Sequence, residues 1–315
     1  MNKWIGLLVF LSLVFSCEPT SSEQVKKEGT EERPYIQVMG IAQDAGYPQA
    51  ACMKKCCLPV WKGKATSRLV SCLGLVDPVT HSGWLFDATP DFKQQLYNIQ
   101  EDCNANLSGI LLTHAHIGHY TGLMDLGREV MGAKALPIYA MPRMRSFLQN
   151  NGPWSQLVSL ENIKLLPLKA DSVLRLNIGL KVTPLLVPHR DEFSETVGFL
   201  IEGPQRKALF IPDIDKWEKW EQDITEMIKA VDVAFLDGSF YQNGEIPGRD
   251  MSMIPHPFVV ESIQLFENLS PEDKAKVHFI HLNHTNPLLQ ENSKERMDVI
   301  NAGFRIAEEG QRVFL

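Results

Sequence analysis

The sequence predicts an α/β protein in which two β-sheets pack face to face with helices on the outside. Strand-like apolar runs come in two similar groups with helical patterns between them, and such runs form layered sheets that helices cover. The chain has 315 residues, of which 44% are hydrophobic and 22% charged, which is sufficient for a large core. Its net charge of -7 argues against nucleic acid as a main partner.

Residues 1–17 resemble a lipoprotein-type signal peptide. A basic residue, Lys3, precedes an apolar run that is too short for a typical transmembrane helix. The residues that end at Cys17 resemble a lipoprotein box, in which this cysteine receives the lipid. Residues 18–33 are polar and predict a flexible tether, and residues 34–315 are the predicted folded domain. We therefore expect an exported, membrane-anchored bacterial envelope protein, with a periplasmic or secreted soluble protein as the alternative.

The predicted strands are short apolar runs that lie between turn residues. In chain order they are 35–41, 68–76, 83–86, 109–113, 137–140, 162–168, 179–187, 196–202, 207–211, 232–236 and 277–281. Helical patterns lie between these strands. The first follows Pro90, and the second follows the histidine-rich stretch. The predicted helices are 91–99, 120–130, 142–148, 215–230, 257–269 and 292–301.

Three histidines follow the buried strand that ends at Thr113. They are His114, His116 and His119, and a helical pattern begins directly after them. The point where a strand ends and a helix begins is where an α/β sheet opens its crevice. Because neutral imidazole is a common zinc and iron ligand, these side chains can converge on one metal ion. The alternative is three solvated loop histidines.

Other polar residues follow predicted strands in the same way. They are His189, Asp213, Asp237 and His281. Each one alone is compatible with a capping or hydrogen-bonding role. Together they match a hydrolytic metal site, which needs neutral imidazoles, a carboxylate that can bridge two ions and an open position for water.

The cysteines divide into a cluster and two isolated residues. Cys52, Cys56 and Cys57 form the cluster, and a disulfide between the two adjacent members is strained. Metal binding suits this cluster best, and a redox-active or unligated cluster is the alternative. Cys72 and Cys103 lie in apolar surroundings and are predicted to be small core residues.

The histidine and aspartate elements occur in an order that resembles the metallo-β-lactamase superfamily. The resemblance extends from about residue 35 to the end of the chain and implies an αβ/βα four-layer sandwich with a metal site at the edge of the sheets. Within the superfamily the chain most resembles the pyrroloquinoline quinone (PQQ) biosynthesis protein B family. The supporting stretches are 84–91, 187–190, 195–199, 236–239 and 281–287. The cysteine cluster is similar to that of a phosphonate-pathway cyclic phosphodiesterase of the same superfamily.

This resemblance implies a role for each candidate. The first metal would be held by His114, His116 and His189, the second by His119 and His281, and Asp213 would bridge them. Asp87 would hold the histidine loop through hydrogen bonds. The residues expected to act in catalysis are Asp213, His119 and Asp237. A separate structural zinc would be held by Cys52, Cys56, Cys57 and His284.

One position departs from the superfamily pattern His-x-His-x-Asp-His. Gly118 stands where the pattern has an aspartate that binds the second metal. We therefore expect the second site to be weak, partly filled or empty, and Gly118→Asp to change its metal affinity. The space that the glycine leaves can take a water or a different carboxylate. The general acid/base work often assigned to that aspartate must pass to another group, for which Asp191, Asp237 and Glu245 are the candidates, or the activity has drifted.

The leading functional hypothesis is a metal-dependent hydrolase. It would use a metal-bound hydroxide on an ester, lactone, amide or phosphodiester of a small molecule, with one or two catalytic Zn2+ ions and one structural Zn2+. The second hypothesis is an iron-dependent oxidative enzyme, as the PQQ family resemblance implies. The third is a non-catalytic, metal-stabilised binding protein. The oligomeric state is not indicated by the sequence.

Overall fold

The computed structural model describes Met1 and residues 32–315. Contacts between residues group Glu32–Leu315 into one unit. The predicted signal peptide, the lipidation site Cys17 and nearly all of the predicted tether lie outside the described residues. Among the described residues, no helix combines the length and the apolar character that a membrane crossing requires.

The first β-sheet has seven strands among the described residues. They are β1 (Tyr35–Gly40), β2 (Cys72–Asp77), β3 (Ser82–Phe86), β4 (Asn106–Leu111), β5 (Leu136–Ala140), β6 (Ile163–Pro167) and β14 (Arg312–Phe314). Their order across the sheet is β14-β1-β2-β3-β4-β5-β6. Pairing is antiparallel from β14 to β3 and parallel from β3 to β6.

The second sheet repeats this plan in the second half of the chain. Its strands are β7 (Leu174–Arg175), β8 (Lys181–Leu186), β9 (Val197–Glu202), β10 (Lys207–Ile211), β11 (Val233–Asp237), β12 (Val277–Ile280) and β13 (Arg305–Ile306). Their order is β13-β12-β11-β10-β9-β8-β7. Pairing is antiparallel from β7 to β10 and parallel from β10 to β13.

Short helices connect the strands. They are α1 (Leu58–Trp61), α2 (Phe92–Tyr97), α3 (Ile117–Tyr120), α4 (Pro142–Asn150), α5 (Trp154–Ser159), α6 (Ile224–Ala230), α7 (Val259–Leu265), α8 (Pro271–Lys274) and α9 (Lys294–Asn301). A π-helical turn covers Asn98–Asp102, and 3-10 turns cover Thr121–Leu126, Trp217–Lys219 and Pro287–Leu289.

Three predicted helices were too long, and the one predicted at 257–269 is only the shorter α7. The helix predicted at 120–130 is the short α3 followed by a 3-10 turn. The helix predicted at 215–230 begins only at α6, where the Asp223 side chain accepts a hydrogen bond from Thr225 N at 2.8 Å and caps it. Before that cap, the chain forms only the 3-10 turn at Trp217–Lys219. Trp217 and Trp220 are buried there and donate their indole N–H groups to other elements.

The main core lies between the two sheets. Phe86 of β3 meets Phe199 and Phe210 of the second sheet, with ring centroids 5.2 and 5.9 Å apart. In β1, Ile36 and Val38 belong to this core, whereas Tyr35 and Met39 belong to a second core under the helices of the first sheet. Alternate residues thus bury both faces of the strand. The predicted arrangement of two packed sheets covered by helices is confirmed.

Candidate metal centre

Four predicted ligands converge at one edge of the sandwich. This first ligand set is His114, His116, His189 and Asp213, and one ligand atom from each lies within 4.8 Å of the others. Asp213 Oδ1 lies 3.2 Å from His189 Nε2, and its Oδ2 lies 3.2 Å from His114 Nε2. Three imidazoles and one carboxylate are a donor set that suits zinc.

A second ligand set adjoins the first and consists of Asp44, His119 and His281. Asp44 Oδ1 lies 3.2 Å from His119 Nε2 and 3.5 Å from His281 Nε2. Asp213 Oδ2 is 3.9 Å from His119 Nε2, so this carboxylate lies between the two sets. That is the place a bridging ligand requires. The sequence-predicted ligands of both metals are therefore brought together, and one unpredicted carboxylate joins them.

Asp44 occupies the space that Gly118 leaves. A Cβ at position 118 would lie 2.5 Å from the Asp44 Cα and closer still to its Oδ1. The glycine therefore admits a carboxylate from another segment. The second set therefore contains a carboxylate other than the one that the superfamily pattern places at position 118, and the weak or partial metal occupancy expected of this set stays a prediction. Asp44 follows β1 by four residues, so the strand-end rule that selected the other ligands was a signal that could have found it.

The three carboxylates that the sequence offered for general acid/base work lie outside the second ligand set. Asp191 accepts a hydrogen bond from Thr196 Oγ1 at 2.8 Å. Glu245 accepts one from Tyr241 N at 2.6 Å, and burial raises its pKa to about 7. Asp237 is fully buried and bonds to backbone N–H groups. A role of Asp191 or Glu245 in proton transfer stays a prediction.

His256 is a site residue that the sequence analysis missed. Its Nδ1 lies 2.8 Å from Asp237 Oδ2 and 3.2 Å from Asp213 Oδ1, and the residue is 5% exposed. His256 can therefore hold the shared carboxylate in place, and Asp237 holds His256. Asp237, expected to act in catalysis, has instead the geometry of a positioning residue. His256 lies in a loop without strand or helix periodicity, which left no local pattern that marked it.

Asp87 orients two of the ligand histidines, as predicted from the resemblance. Its Oδ2 lies 2.7 Å from His119 Nδ1, and its Oδ1 accepts a 2.7 Å hydrogen bond from Thr113 N. The Thr113 hydroxyl donates to Asp87 and lies 3.0 Å from His114 Nδ1. These bonds leave the Nε2 atoms of both histidines free for a metal. Asp87 has a φ of 75°, a strained conformation of the kind that clusters at functional sites.

Similar contacts orient the remaining ligands. Ser239 Oγ lies 2.8 Å from His281 Nδ1, which directs Nε2 toward Asp44. His116 Nε2 lies 3.1 Å from Glu192 Oε2, which leaves its Nδ1 facing the first ligand set. The tautomers that these contacts favour are the ones that metal ligation needs.

Several buried polar atoms of the centre have no hydrogen-bond partner among the described residues. They include Asp44 Oδ1, His119 Nε2, His189 Nε2, Asp213 Oδ1 and His281 Nε2. Buried polar atoms are normally satisfied. His189 and Asp213 belong to the first ligand set, and the other three residues belong to the second. A cation in each set would satisfy these atoms, so both donor sets fit a metal ion.

The charges of the centre also favour a cation. Burial and then the neighbouring His119 lower the pKa of His114 well below its usual value, which keeps this imidazole neutral. Burial opposes ionisation of Asp213, but His189 and His256 hold its pKa well below the usual range. Despite burial, Asp87 and Asp44 raise the pKa of His119. The same negative potential that stabilises an imidazolium also attracts a metal ion.

The cysteine cluster contains the predicted structural-zinc ligands, Cys52, Cys56, Cys57 and His284, whose ligand atoms lie within 4.8 Å of one another. Cys52 Sγ and Cys56 Sγ are 3.6 Å apart, and all five cysteines of the described residues are free. His284 Nδ1 is buried without a partner in the described part of the chain. This closed Cys3His set fits zinc.

Asp87→Asn is expected to lower the metal affinity of the centre roughly 10–100-fold, the usual effect of removing a partner that orients ligands. Asparagine tolerates the left-handed backbone of this position, so the change acts on charge and hydrogen bonding. Zinc competition with a chromophoric chelator measures the affinity. Asp77→Asn, at a carboxylate of the β2 end that bonds only to Thr80 and neighbouring loop groups, is the control. Equal affinities for the two variants would contradict this role of Asp87.

Comparison with known proteins places this geometry in a family. A sequence-family model described as "Beta-lactamase superfamily domain" matches residues 84–279 of this chain. Coenzyme PQQ synthesis protein B of Pseudomonas putida is 26% identical over 314 residues, covering 89% of this chain and all of the relative. The protein of that name from Methylorubrum populi is 25% identical over 305 residues, covering 88% of this chain and 98% of the relative. The predicted resemblance to this family is confirmed.

Solved structures agree with this result. Zn2+-bound PqqB from Methylobacterium extorquens has a TM-score of 0.76 at 22% identity, covering 89% of this chain and 100% of that chain. A diphosphatase from the PhnP family has a TM-score of 0.62 at 22% identity, and the match covers 90% of this chain and 97% of the diphosphatase. Both confirm the metallo-β-lactamase fold. Since the family model spans well over half of the sequence, the chain belongs to the beta-lactamase superfamily.

Proposed function

We propose that the protein is a metal-dependent hydrolase that acts on an ester, lactone or phosphodiester of a small molecule. The observation that carries this proposal is the pair of adjoining ligand sets with Asp213 between them. The side chains of His116 and Asp44 are 14% and 27% exposed, so solvent reaches the otherwise buried centre at these two ligands. Zinc bound there supplies Lewis acidity and lowers the pKa of water to about 7.

The rim of the centre offers contacts for a substrate. Arg190 follows the ligand His189, is exposed, and lies 3.6 Å from Glu192. A guanidinium at this position can bind a carboxylate or phosphate of the substrate in a bidentate way. Phe193, 60% exposed, and Phe147 line an adjoining groove of about 310 Å3, which can hold an apolar part of the same molecule. We infer a substrate with an anionic group close to its scissile bond.

An iron-dependent oxidative enzyme is the second candidate. Two observations favour it: the similarity to proteins named Coenzyme PQQ synthesis protein B and the second ligand set. Asp44, His119 and His281 are two histidines and one carboxylate, a donor set that suits iron and oxygen chemistry.

Elemental analysis combined with turnover assays tests these proposals. The full-length chain, purified in detergent, is assayed for metal content, for hydrolysis of bis(p-nitrophenyl) phosphate and of a lactone, and for oxygen uptake. Zinc with hydrolysis supports the hydrolase. Iron with substrate-dependent oxygen uptake and no hydrolysis would replace it by the oxidative candidate. A folded protein that is inert in all assays would favour a metal-stabilised binding protein.

We also propose that the protein is exported and anchored to the membrane of the cell envelope through a lipid on Cys17. The support is the sequence of residues 1–17, a charged start and a short apolar run before the cysteine. Cys17→Ser is expected either to move the protein out of the membrane fraction or to leave it there as an unprocessed, larger chain. A variant that is processed like the parent chain and keeps the parent distribution between membrane and soluble fractions would contradict lipid anchoring.

A further inference from the structure

Two segments of the chain supply ligands to two different metal sites. Residues 41–57 carry Asp44 and the three cysteines, and residues 281–284 carry His281 and His284. Asp44 and His281 belong to the second ligand set of the catalytic centre, whereas the other four residues form the cysteine cluster. Any change in the packing of these two segments therefore acts on both sites.

Backbone hydrogen bonds join the two segments next to Asp44. Leu282 N donates to Ile41 O at 2.8 Å, and Gln43 N donates to Leu282 O at 2.9 Å. Leu282 directly follows the ligand His281, and Gln43 directly precedes Asp44. The position of the Asp44 carboxylate relative to His281 is thus set by this short pairing.

The chain that follows Asp44 has little apolar burial to hold it. No residue of α1 is buried, and between residues 48 and 67 the buried side chains are those of Cys52 and Cys57. Tyr47, three residues after Asp44, is itself buried and donates its hydroxyl hydrogen to the Cys56 carbonyl at 2.7 Å. Segments with few buried contacts open at low free-energy cost, and metal bound to such a segment contributes directly to its folding.

We propose that the cysteine cluster sets the metal affinity of the second ligand set, because metal bound to the cluster holds the segment that carries Asp44. The cluster then controls metal binding in the second ligand set in addition to stabilising the fold of its own segment. This inference rests on the metal centre of the proposed function, but not on hydrolysis. Because coupling between two binding sites is reciprocal, metal in the second ligand set must tighten the cluster by the same factor.

Co2+ titration of the metal-stripped, full-length chain tests the coupling. Absorption from cobalt–thiolate contacts measures Co2+ binding to the cluster. The binding step that is missing in Asp44→Ala is assigned to the second ligand set. Cys56→Ser is expected to weaken that step roughly tenfold or more, within the usual range of coupling between sites, and to leave binding to the first ligand set unchanged. Cys103→Ser, a buried cysteine outside the cluster, is the matched control and is expected to change neither step.

Tyr47→Phe provides a second variant that keeps every metal ligand. It removes the hydroxyl that donates to the Cys56 carbonyl and accepts a hydrogen bond from Gln290 Nε2, and we expect a smaller loss of second-set affinity in the same direction. Unchanged second-set affinity in Cys56→Ser, or in Tyr47→Phe if the first variant does not fold, overturns the proposal. So does an Asp44→Ala chain whose cluster binds Co2+ as tightly as the parent chain. A parent chain that binds no Co2+ in its first ligand set would instead refute the proposed function.

Discussion

His116→Ala is expected to remove the metal from the first ligand set and to lower kcat/KM by roughly a thousandfold or more. Loss of a residue that merely orients ligands already costs roughly 10–100-fold, and His116 is itself a ligand candidate whose Nδ1 faces His114 Nε2 at 2.8 Å. The variant also leaves Asp213, 3.9 Å from the same Nδ1, with one partner fewer. Elemental analysis and turnover of the full-length chain measure both effects.

His81→Asn is the control for this experiment. His81 lies in the turn between β2 and β3, outside both ligand sets, and has a φ of 51°, which asparagine tolerates. We expect its metal content and turnover to equal those of the parent chain. If His116→Ala keeps all of its metal, the first ligand set is not a metal site and the hydrolase proposal is lost.

Asp44→Ala is expected to abolish metal binding in the second ligand set and to lower turnover roughly a hundredfold, while the metal of the first ligand set stays bound. The physical reason is that His119 and His281 then face each other without the carboxylate that lies 3.2 and 3.5 Å from them. Two imidazoles and a shared carboxylate are a much poorer site for a divalent ion. Metal stoichiometry by elemental analysis, before and after dialysis against a weak chelator, measures the loss.

Gly118→Asp provides the opposite test at the same place. The superfamily pattern alone would make this aspartate an improvement, because it restores the usual ligand. In this structure its Cβ would collide with the backbone of Asp44. We therefore expect the variant to lose about 1–3 kcal/mol of unfolding free energy, as overpacked sites do, and to bind the second metal more weakly.

Thermal unfolding and metal stoichiometry of Gly118→Asp check both parts of this prediction. Gly179→Asp is the control, because a Cβ at that position meets its nearest neighbour, Pro204, at an ordinary 3.5 Å. A Gly118→Asp protein of parental stability that binds its second metal more tightly would show that Asp44 does not act as the replacement ligand.

Many ligands were predictable because strand ends are local features. His114, His116 and His119 follow an apolar run directly, and His189, Asp213 and His281 follow three others. Within one sheet, residues that follow parallel strands meet at one edge. The first three histidines follow β4 of the first sheet, whereas the others follow strands of the second sheet. That the two groups meet was therefore implied by the resemblance to the superfamily and not by the strand ends alone.

Helix boundaries were less predictable where tertiary contacts override propensity. The stretch before α6 has a helical pattern, but Trp217 donates to Ser262 Oγ at 2.9 Å and Trp220 donates to Leu186 O at 2.7 Å. These indole bonds join the stretch to α7 and β8, and its backbone forms a 3-10 turn instead of an α-helix. The capping carboxylate of Asp223 then determines where the helix begins.

The sequence by itself determined the two-sheet sandwich, the histidine-rich metal centre and the cysteine cluster, since each follows from local periodicity or from a motif. Only the tertiary structure decided that Asp44 completes the second ligand set and that His256 holds Asp213. Asp44 reaches the site because the chain after β1 pairs with Leu282, a residue more than two hundred positions away. Such a pairing depends on how the two sheets pack, and no local pattern encodes it.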